Sequence, residues 1–139
     1  MSLIQAAKQV SNKTLQNFLP QGVAFHNASL SPQDRSIVED LFLALKVKVL
    51  CTTSTLAMGI NLPARLVIMK STQCYRGPRK GYQEYTKIEI DQMTGRAGRP
   101  PFDTHGTVVI MTEKHNFSHY NNSSLSLEPL ESQLFTNLL

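Results

Sequence analysis

The sequence contains few cysteines and no long apolar run. Cys51 and Cys74 are the only cysteines in 139 residues, and neither has a cysteine or histidine beside it at the spacing of a metal site. Two cysteines are too few for a disulfide framework. No stretch approaches the ~18 to 20 apolar residues of a membrane span, and Gln5, Lys8 and Gln9 interrupt the apolar core that a signal peptide needs. We therefore expect no membrane segment, no metal site, and a protein of the cytosol or nucleus.

A large excess of one charge is also missing. The formal net charge is +4, with 17% charged and 41% hydrophobic residues. This composition suits one globular domain with a core. The basic excess is concentrated in residues 65–87, which suits a phosphate-rich partner, although a solvated basic loop explains it as well.

Apolar spacing predicts alternating helices and strands. The predicted helices cover residues 3–19 with a break near Ser11 and Asn12, 31–45 with Ser31 as cap and Pro32 in first position, 86–98, and 128–139. Short apolar runs predict buried strands at residues 22–26, 47–51, 66–70 and 107–111. Residues 76–81 are expected to form an exposed loop and residues 116–126 to be poorly ordered. This order predicts an α/β fold with a mainly parallel sheet and helices on both faces.

Two polar stretches carry candidate chemistry. Residues 91–100 read Asp-Gln-Met-Thr-Gly-Arg-Ala-Gly-Arg-Pro, and residues 52–64 read Thr-Thr-Ser-Thr-Leu-Ala-Met-Gly-Ile-Asn-Leu-Pro-Ala. A guanidinium stays protonated and matches phosphate oxygens in pairs. If the segment is helical up to about Gly98, Arg96 and Arg99 lie nearly on one face, and the small residues between them let another backbone come close. Taken alone, two arginines at this spacing are more typical of a solvated basic turn than of a phosphate site.

Together the two stretches resemble motifs V and VI of superfamily 2 helicases, in the DExH-box branch called Ski2-like. Within that branch, the Thr-Ser-Thr-Leu-Ala run, the following Gly-x-Asn-Leu-Pro-Ala and the later Gly-Arg-Ala-Gly-Arg-Pro-x-Phe-Asp-Thr are most similar to meiotic DNA helicases that promote crossing over. Relatives in RNA processing and DNA repair share much of this pattern. The resemblance implies a second RecA-like domain over residues 1–126, truncated at its first strand, and the start of a winged-helix domain over residues 127–139.

The resemblance also shows what is missing. The Gly-x-x-x-x-Gly-Lys-Ser/Thr phosphate loop and the acidic magnesium motif of the family's first RecA-like domain occur nowhere in the sequence. We therefore expect a fragment, a truncated isoform or an incomplete gene model that is inactive by itself. The Mg²⁺ ligands are expected on the absent first domain.

On the ATP side, the resemblance assigns roles to Gln92, Arg96, Arg99, Gly59 and Asn61. Arg99 matches the arginine finger, Arg96 its companion on the γ-phosphate, and Gln92 a contact to the phosphate region. Gly59 and Asn61 match positions near the nucleotide sugar and the finger. Positive charge placed where negative charge spreads accelerates phosphoryl transfer. Alternatively, the arginines tie loops together and Asn61 caps the turn before the next proline.

On the nucleic-acid side, the resemblance assigns Thr53, Ser54, Thr55, His26 and Arg35. The Thr53 hydroxyl and amide match groups that hold a phosphate of the bound strand, and Ser54 and Thr55 add contacts or cap a helix. Such contacts imply binding without sequence preference.

Residues 26–30, His-Asn-Ala-Ser-Leu, are similar to the family's His-His-Ala-Gly-Leu near the nucleic acid. Asn27 and Ser29 depart from that pattern. If the family glycine needs a positive φ or a close approach of the strand, Ser29 costs about 1 kcal/mol and weakens that contact.

The resemblance thus implies a monomeric nuclear motor, an ATP-dependent DNA helicase of meiotic recombination. It uses ATP and Mg²⁺, acts on single-stranded or branched DNA, and works with the first RecA-like and winged-helix domains of the same protein. Two alternatives stay open: an RNA helicase of the same branch, and a non-catalytic module that binds nucleic acid or a partner.

Overall fold

Helices and strands alternate along the chain, as the sequence predicts. The computed structural model describes residues 1–54, 62–98 and 105–123. Its helices are α1 (Leu3–Gln9), α2 (Lys13–Phe18), α3 (Pro32–Leu43), α4 (Lys87–Thr94) and α5 (Phe117–Ser123), with 3-10 turns at Leu19–Gln21 and Lys114–Asn116. Its strands are β1 (Val23–His26), β2 (Val49–Thr52), β3 (Leu66–Met69), β4 (Gln73–Tyr75), β5 (Tyr82–Glu84) and β6 (Thr107–Ile110).

The strands pair in a way that depends on what connects them. β1 pairs with β2 in parallel across α3, and β3 pairs with β6 in parallel across a segment that contains α4. β4 and β5 form an antiparallel hairpin. The predicted α/β class with parallel strands is confirmed. Within the described residues, the four parallel strands form two separate pairs rather than one sheet.

The N-terminal helices break where the sequence predicts. The Asn12 side chain caps α2 by accepting hydrogen bonds from the Thr14 and Leu15 amides, at 2.9 and 3.1 Å. A side chain that satisfies the exposed amides of a new helix favours ending the previous one. The break therefore has a local cause.

The buried Asp34 carboxylate of α3 binds the residues between α1 and α2. Asp34 accepts from the Ser11 amide at 2.9 Å, the Ser11 hydroxyl at 2.8 Å and the Asn12 amide at 3.0 Å, and it is 1% exposed. Burial by itself would raise the pKa of Asp34, but these hydrogen bonds outweigh burial and lower the pKa. Sequence reasoning missed this contact.

The helix α3 begins as predicted and ends earlier than predicted. Ser31 Oγ accepts from the Asp34 amide at 3.1 Å, and Pro32 occupies the first helical position. Val38 and Leu41 are buried. Leu45, the last residue of the predicted helix 31–45, lies beyond the observed helix end with φ 58° and is 70% exposed.

One hydrophobic core lies entirely in the N-terminal part of the chain. Its buried members are Ala6, Ala7, Val10, Leu15, Leu19, Ala24, Leu30, Val38, Leu41 and Val47. They come from α1, α2, β1 and α3 and from the loops and turns beside them. We call residues 1–54 the first region, and residues 62–98 with 105–123 the second region.

The second region leaves apolar strand side chains exposed. Leu66 and Ile68 of β3 are 50% and 55% exposed, and Val109 and Met111 in and after β6 are 42% and 53% exposed. These strands were expected to be covered on both faces, and for these side chains the prediction is wrong. The physical reason is that α4, the helix between them, buries no side chain.

The helix α4 is shorter than predicted. It ends at Thr94 rather than near Gly98, since Gly95 caps it and Gly98 has φ +64°. The condition under which Arg96 and Arg99 would share one helical face, a helix up to about Gly98, is therefore not met. Ile88, near the start of this helix, is 49% exposed.

The end of the chain differs from its prediction as well. Residues 117–123 form α5 with Tyr120 buried, where poor order was expected. The expected winged-helix segment at residues 127–139, and the domain boundary before it, lie outside the described residues. No helix in the described part of the chain is long and apolar enough to cross a membrane.

Candidate functional site

The first candidate constellation lies at the carboxyl ends of β1 and β2. His26 is in register with Thr52, and the Thr53 amide donates to the His26 carbonyl at 3.4 Å. Thr53 is exposed, and Ser54 follows it. Arg35 lies in the first turn of α3, which begins shortly after β1. The topology thus brings four of the five predicted strand contacts to one edge, and Thr55 lies outside the described residues.

These residues differ in how accessible they are. His26 is 5% exposed, and its Nε2 lies 2.7 Å from the Glu39 Oε1 of α3. This distance fits a ring N–H that donates to the carboxylate and joins β1 to α3. The Thr53 amide donates to the His26 carbonyl, and the phosphate contact expected of the Thr53 hydroxyl stays a prediction.

Arg35 carries a donor whose partner the described residues do not supply. The residue is partly buried, and its Nε is buried with no hydrogen-bond partner in the described part of the chain. A buried donor without a partner costs about 1–3 kcal/mol. The contact of Arg35 with a bound strand stays a prediction.

Ser29, which stands where the family has glycine, does not adopt a positive φ in this structure. Asn27 Oδ1 accepts from the Ser29 amide at 3.0 Å and from the Ser29 hydroxyl at 2.7 Å, which forms a local turn. Leu45 is the one non-glycine with a positive φ among the described residues. The expected penalty from a positive φ at Ser29 does not arise.

The second constellation is the segment after α4. Gln92 is exposed on α4, and Arg96 is partly buried beyond its end. The Ala64 amide donates to the Arg96 carbonyl, and the Gly98 amide donates to the Ala64 carbonyl, both at 3.0 Å. The end of the 52–64 stretch therefore pairs directly with the 91–100 stretch. Three other predicted ATP-side residues lie outside the described residues: Gly59, Asn61 and Arg99.

Glycine allows a close backbone approach beside Arg96. A Cβ on Gly98 would lie 2.4 Å from the Gly106 nitrogen, and Gly98 has φ +64°. Both facts exclude a larger side chain at Gly98 without movement of the backbone. The prediction that small residues here admit another backbone is confirmed, and that backbone is the segment entering β6.

The β4–β5 hairpin was not predicted. Its turn contains Arg79 and Lys80, both exposed, and is flanked by Tyr75 and Tyr82, which are 59% and 70% exposed. The two tyrosine rings lie 5.5 Å apart. Aromatic faces beside cations are the surface that single-stranded nucleic acids use. Two aromatics around a glycine- and proline-rich turn were the available signal in the sequence.

Arg76, at the base of the hairpin turn, contacts α4. Its Nη2 donates to Glu89 Oε1 at 2.7 Å and to Oε2 at 2.6 Å. The hydrogen bond from Arg76 lowers the pKa of Glu89, and the one from the Thr86 amide lowers it further. Sequence reasoning missed Glu89, although Thr86-x-x-Glu89 is the signature of a capping box.

A second carboxylate joins the hairpin to α5. Glu84 accepts from Tyr120 Oη at 2.6 Å, Gln73 Nε2 at 2.9 Å and Asn116 Nδ2 at 3.1 Å. Burial by itself would raise the pKa of Glu84, but hydrogen bonds from Tyr120 and Gln73 outweigh it and lower the pKa. The hairpin is thus held from two sides.

Comparisons with known proteins identify the family of this chain. The family described as Helicase conserved C-terminal domain matches residues 3–101. The chain is 47% identical over 137 residues to the "ATP-dependent DNA helicase homolog MER3" of Arabidopsis thaliana, covering 99% of this chain and 12% of that protein. It is 47% identical over 129 residues to the "ATP-dependent DNA helicase MER3" of Saccharomyces cerevisiae, covering 93% and 11%.

A relative named for RNA matches almost as well. The "DExH-box ATP-dependent RNA helicase DExH14" of Arabidopsis thaliana is 45% identical over 126 residues, covering 91% of this chain and 6% of that protein. The chain thus spans 12% or less of the length of these three relatives. The resemblance to Ski2-like helicases predicted from the two motifs is confirmed. On these matches, the chain belongs to the helicase conserved C-terminal domain family and has its RecA-like fold.

Proposed function

We propose that this chain is the second motor domain of an ATP-dependent DNA helicase that acts in the nucleus during meiotic recombination. The observation that carries the proposal is the backbone pairing of Ala64 with Ala97, which joins the end of the stretch bearing Thr53 to the stretch bearing Arg96. A motor must connect nucleic-acid contacts to nucleotide contacts, and this pairing joins the two stretches expected to carry them. The two relatives named MER3 support the same function.

On the ATP side, Arg96 and Arg99 contact the terminal phosphates of ATP, Gln92 the phosphate region, and Gly59 and Asn61 the nucleotide sugar. Their charge stabilises the negative charge that spreads over the transferring phosphoryl group. The Ala64 amide donates to the Arg96 carbonyl and so fixes the Arg96 backbone. A fixed backbone supports this role for Arg96. Closure of the two motor domains brings the arginines to the substrate, and opening follows hydrolysis.

On the strand side, the Thr53 hydroxyl binds a backbone phosphate, with Ser54, Thr55 and Arg35 beside it. His26 positions this edge through its bond to Glu39. The hairpin adds a stacking surface, Tyr75 and Tyr82, and the cations of its turn. These contacts bind phosphate or base faces, so we expect little sequence preference.

Magnesium is expected on a different domain. The described residues contain no group of three or more histidines, cysteines, aspartates or glutamates that could hold a metal ion. In the proposed motor, ATP and Mg²⁺ would bind first to a RecA-like domain with a phosphate loop, and this chain would complete the site. The winged-helix domain of the same protein is the second expected partner.

An RNA helicase is the alternative, and the match to DExH14 supports it. The test is binding of the purified 139-residue chain to labelled single strands of DNA and RNA with the same base sequence, measured by fluorescence anisotropy. We expect salt-sensitive binding that favours DNA and is equal for two unrelated sequences. Tighter binding of RNA would favour the alternative, and binding of neither would contradict a strand-binding motor domain. ATP hydrolysis is measured in parallel, and none is expected from this chain alone.

A further inference from the structure

The Arg76–Glu89 ion pair is a direct polar contact between the hairpin and α4. One guanidinium nitrogen donates to both carboxylate oxygens, at 2.7 and 2.6 Å. The side chains are 36% and 12% exposed, so water and salt screen this pair less than a fully exposed one. The contact spans thirteen positions in sequence and joins two elements that the proposed function gives different tasks.

Glu89 transmits force to the backbone of α4 because it is also part of the helix cap. Its Oε2 accepts from the Thr86 amide and the Thr86 hydroxyl, each at 2.9 Å, and the Glu89 amide donates back to Thr86 Oγ1 at 3.3 Å. The Glu89 carboxylate is held by Thr86 at the start of α4 and by Arg76 of the hairpin. It therefore cannot move with the hairpin unless the first turn of α4 moves as well. The position of the hairpin therefore affects the position of the first turn of α4.

The other end of α4 leads directly to Arg96. The helix is eight residues long, or about 12 Å, and ends two residues before Arg96. Beyond it, the backbone is fixed by the Ala64 pairing and by the close approach of Gly98 to Gly106. The Arg96 amide donates to the Met93 carbonyl of α4 at 3.4 Å, and the Arg96 carbonyl accepts from Ala64, so a shift of α4 relative to the anchor acts on the Arg96 backbone.

We propose that the Arg76–Glu89 pair couples engagement of a single strand at the hairpin to the placement of Arg96. The inference rests on the proposed function, because it needs a strand at the hairpin and a phosphate at Arg96. Arg76 is a positioning residue: it contacts neither ligand and acts through Glu89. By linkage, the strand and the nucleotide then strengthen each other's binding by the same factor, about fivefold or more.

The first test uses the chain as it is. Hydrogen exchange of the α4 amides is measured with and without saturating oligothymidine. In the unmodified chain, the strand is expected to slow exchange over residues 87–94 by about fivefold or more. Arg76→Gln is expected to bind oligothymidine with nearly unchanged affinity and to lose this slowing. Glu89→Gln should behave in the same way, and the double variant should be no worse than either single variant.

Two variants serve as matched controls. Arg79→Gln removes the same charge from the same turn, and no hydrogen bond or ion pair of Arg79 is found in the described part of the chain. It should weaken oligothymidine binding and keep the slowing of α4 exchange at saturation. Arg76→Lys keeps the charge but loses the planar fork of donors. With oligothymidine bound, α4 exchange in this variant is expected to slow, but by less than in the unmodified chain.

The second test uses a protein that joins this chain to a first RecA-like domain with a phosphate loop. Arg76→Gln should keep its ATPase rate without nucleic acid, and its strand-stimulated rate should fall about fivefold or more toward that basal rate. A purely structural role would lower both rates together.

The outcomes separate the two proposals. If the unmodified chain does not bind oligothymidine, the proposed function fails and this inference fails with it. If the chain binds but α4 exchange does not respond, or Arg76→Gln keeps the full response, the coupling proposal is wrong and the motor function stands. If Arg76→Gln speeds exchange in α3 as well as α4 without any strand, the pair is a general stabilising contact, and this also overturns the coupling.

Discussion

The two regions of the chain are stabilised by different means. The first region encloses a core of ten buried side chains, whereas the second region leaves Leu66, Ile68, Val109 and Met111 between 42% and 55% exposed. The second region is joined mainly by polar contacts, such as Arg76–Glu89 and Tyr120–Glu84. Burial of apolar area is the larger and less directional source of stability. The region with the core suits a fixed scaffold, and the region with polar contacts suits the parts that would shift in the proposed motor.

The largest expected effect is on the rate of ATP hydrolysis. It would show that the residues acting on ATP lie in the second part of the chain. In a protein that supplies the phosphate-loop domain, Arg99→Ala should lower the ATPase rate by about a thousandfold or more, because its charge meets charge that develops in the transition state. Strand affinity without nucleotide should change little. Steady-state kinetics and anisotropy measure the two quantities. Near-normal kcat in both Arg99→Ala and Arg99→Lys would refute the finger assignment.

A pair of truncations tests the difference in packing directly. Leu15→Ala removes a fully buried side chain of the first region and should lower the free energy of unfolding by about 2–5 kcal/mol. Ile68→Ala in the second region removes a side chain that is 55% exposed and should cost about 0.5 kcal/mol or less. Urea unfolding followed by circular dichroism measures both. Equal losses would mean that the exposed strand face is covered in solution.

Asp34 tests whether polar contacts also matter within the first region. At neutral pH, Asp34→Asn should cost about 1–3 kcal/mol, because a neutral amide cannot accept all three hydrogen bonds. The folded-state pKa of Asp34 is lowered, so its stabilisation is present above the ordinary value of about 3.9 and is lost as the pH falls through the folded pKa.

The pH dependence therefore has a definite sign. The difference in unfolding free energy between the unmodified chain and Asp34→Asn should shrink on going from about pH 7 to below about pH 4. Asp40→Asn, an exposed change in the same helix, serves as control and should show no such trend. A difference that grows with acidification would contradict the lowered pKa.

The smallest expected effect on ligand binding concerns the strand contact of the first region. Thr53→Val keeps the shape and removes the hydroxyl, so single-strand affinity should fall about five- to tenfold, the value of one hydrogen bond of about 1–1.5 kcal/mol. The loss should be equal for unrelated sequences. Because the hydroxyl is neutral, the slope of affinity against salt should stay constant, whereas Lys80→Gln should reduce it. A loss confined to one sequence would place Thr53 at a base rather than a phosphate.

Local signals predicted the elements that depend on neighbours in sequence. The Ser31-Pro32 start of α3, the break at Asn12 and the parallel strands were all predicted, because caps, helix periodicity and crossover connections are short-range features. The end of α4 was missed because Gly95 and Gly98 were taken as small helical residues. Their backbone conformations, and the approach of Gly106 to Gly98, became visible only in the structure.

The motifs by themselves determined the family, since the spacing of glycines, arginines and threonines along 52–64 and 91–100 is a property of the sequence alone. The tertiary structure decided which groups are accessible and which are connected. It buries His26 against Glu39 and joins Arg76 to Glu89 across thirteen positions. Such contacts depend on how strands and helices are placed in space, and no periodicity within a single element encodes that placement.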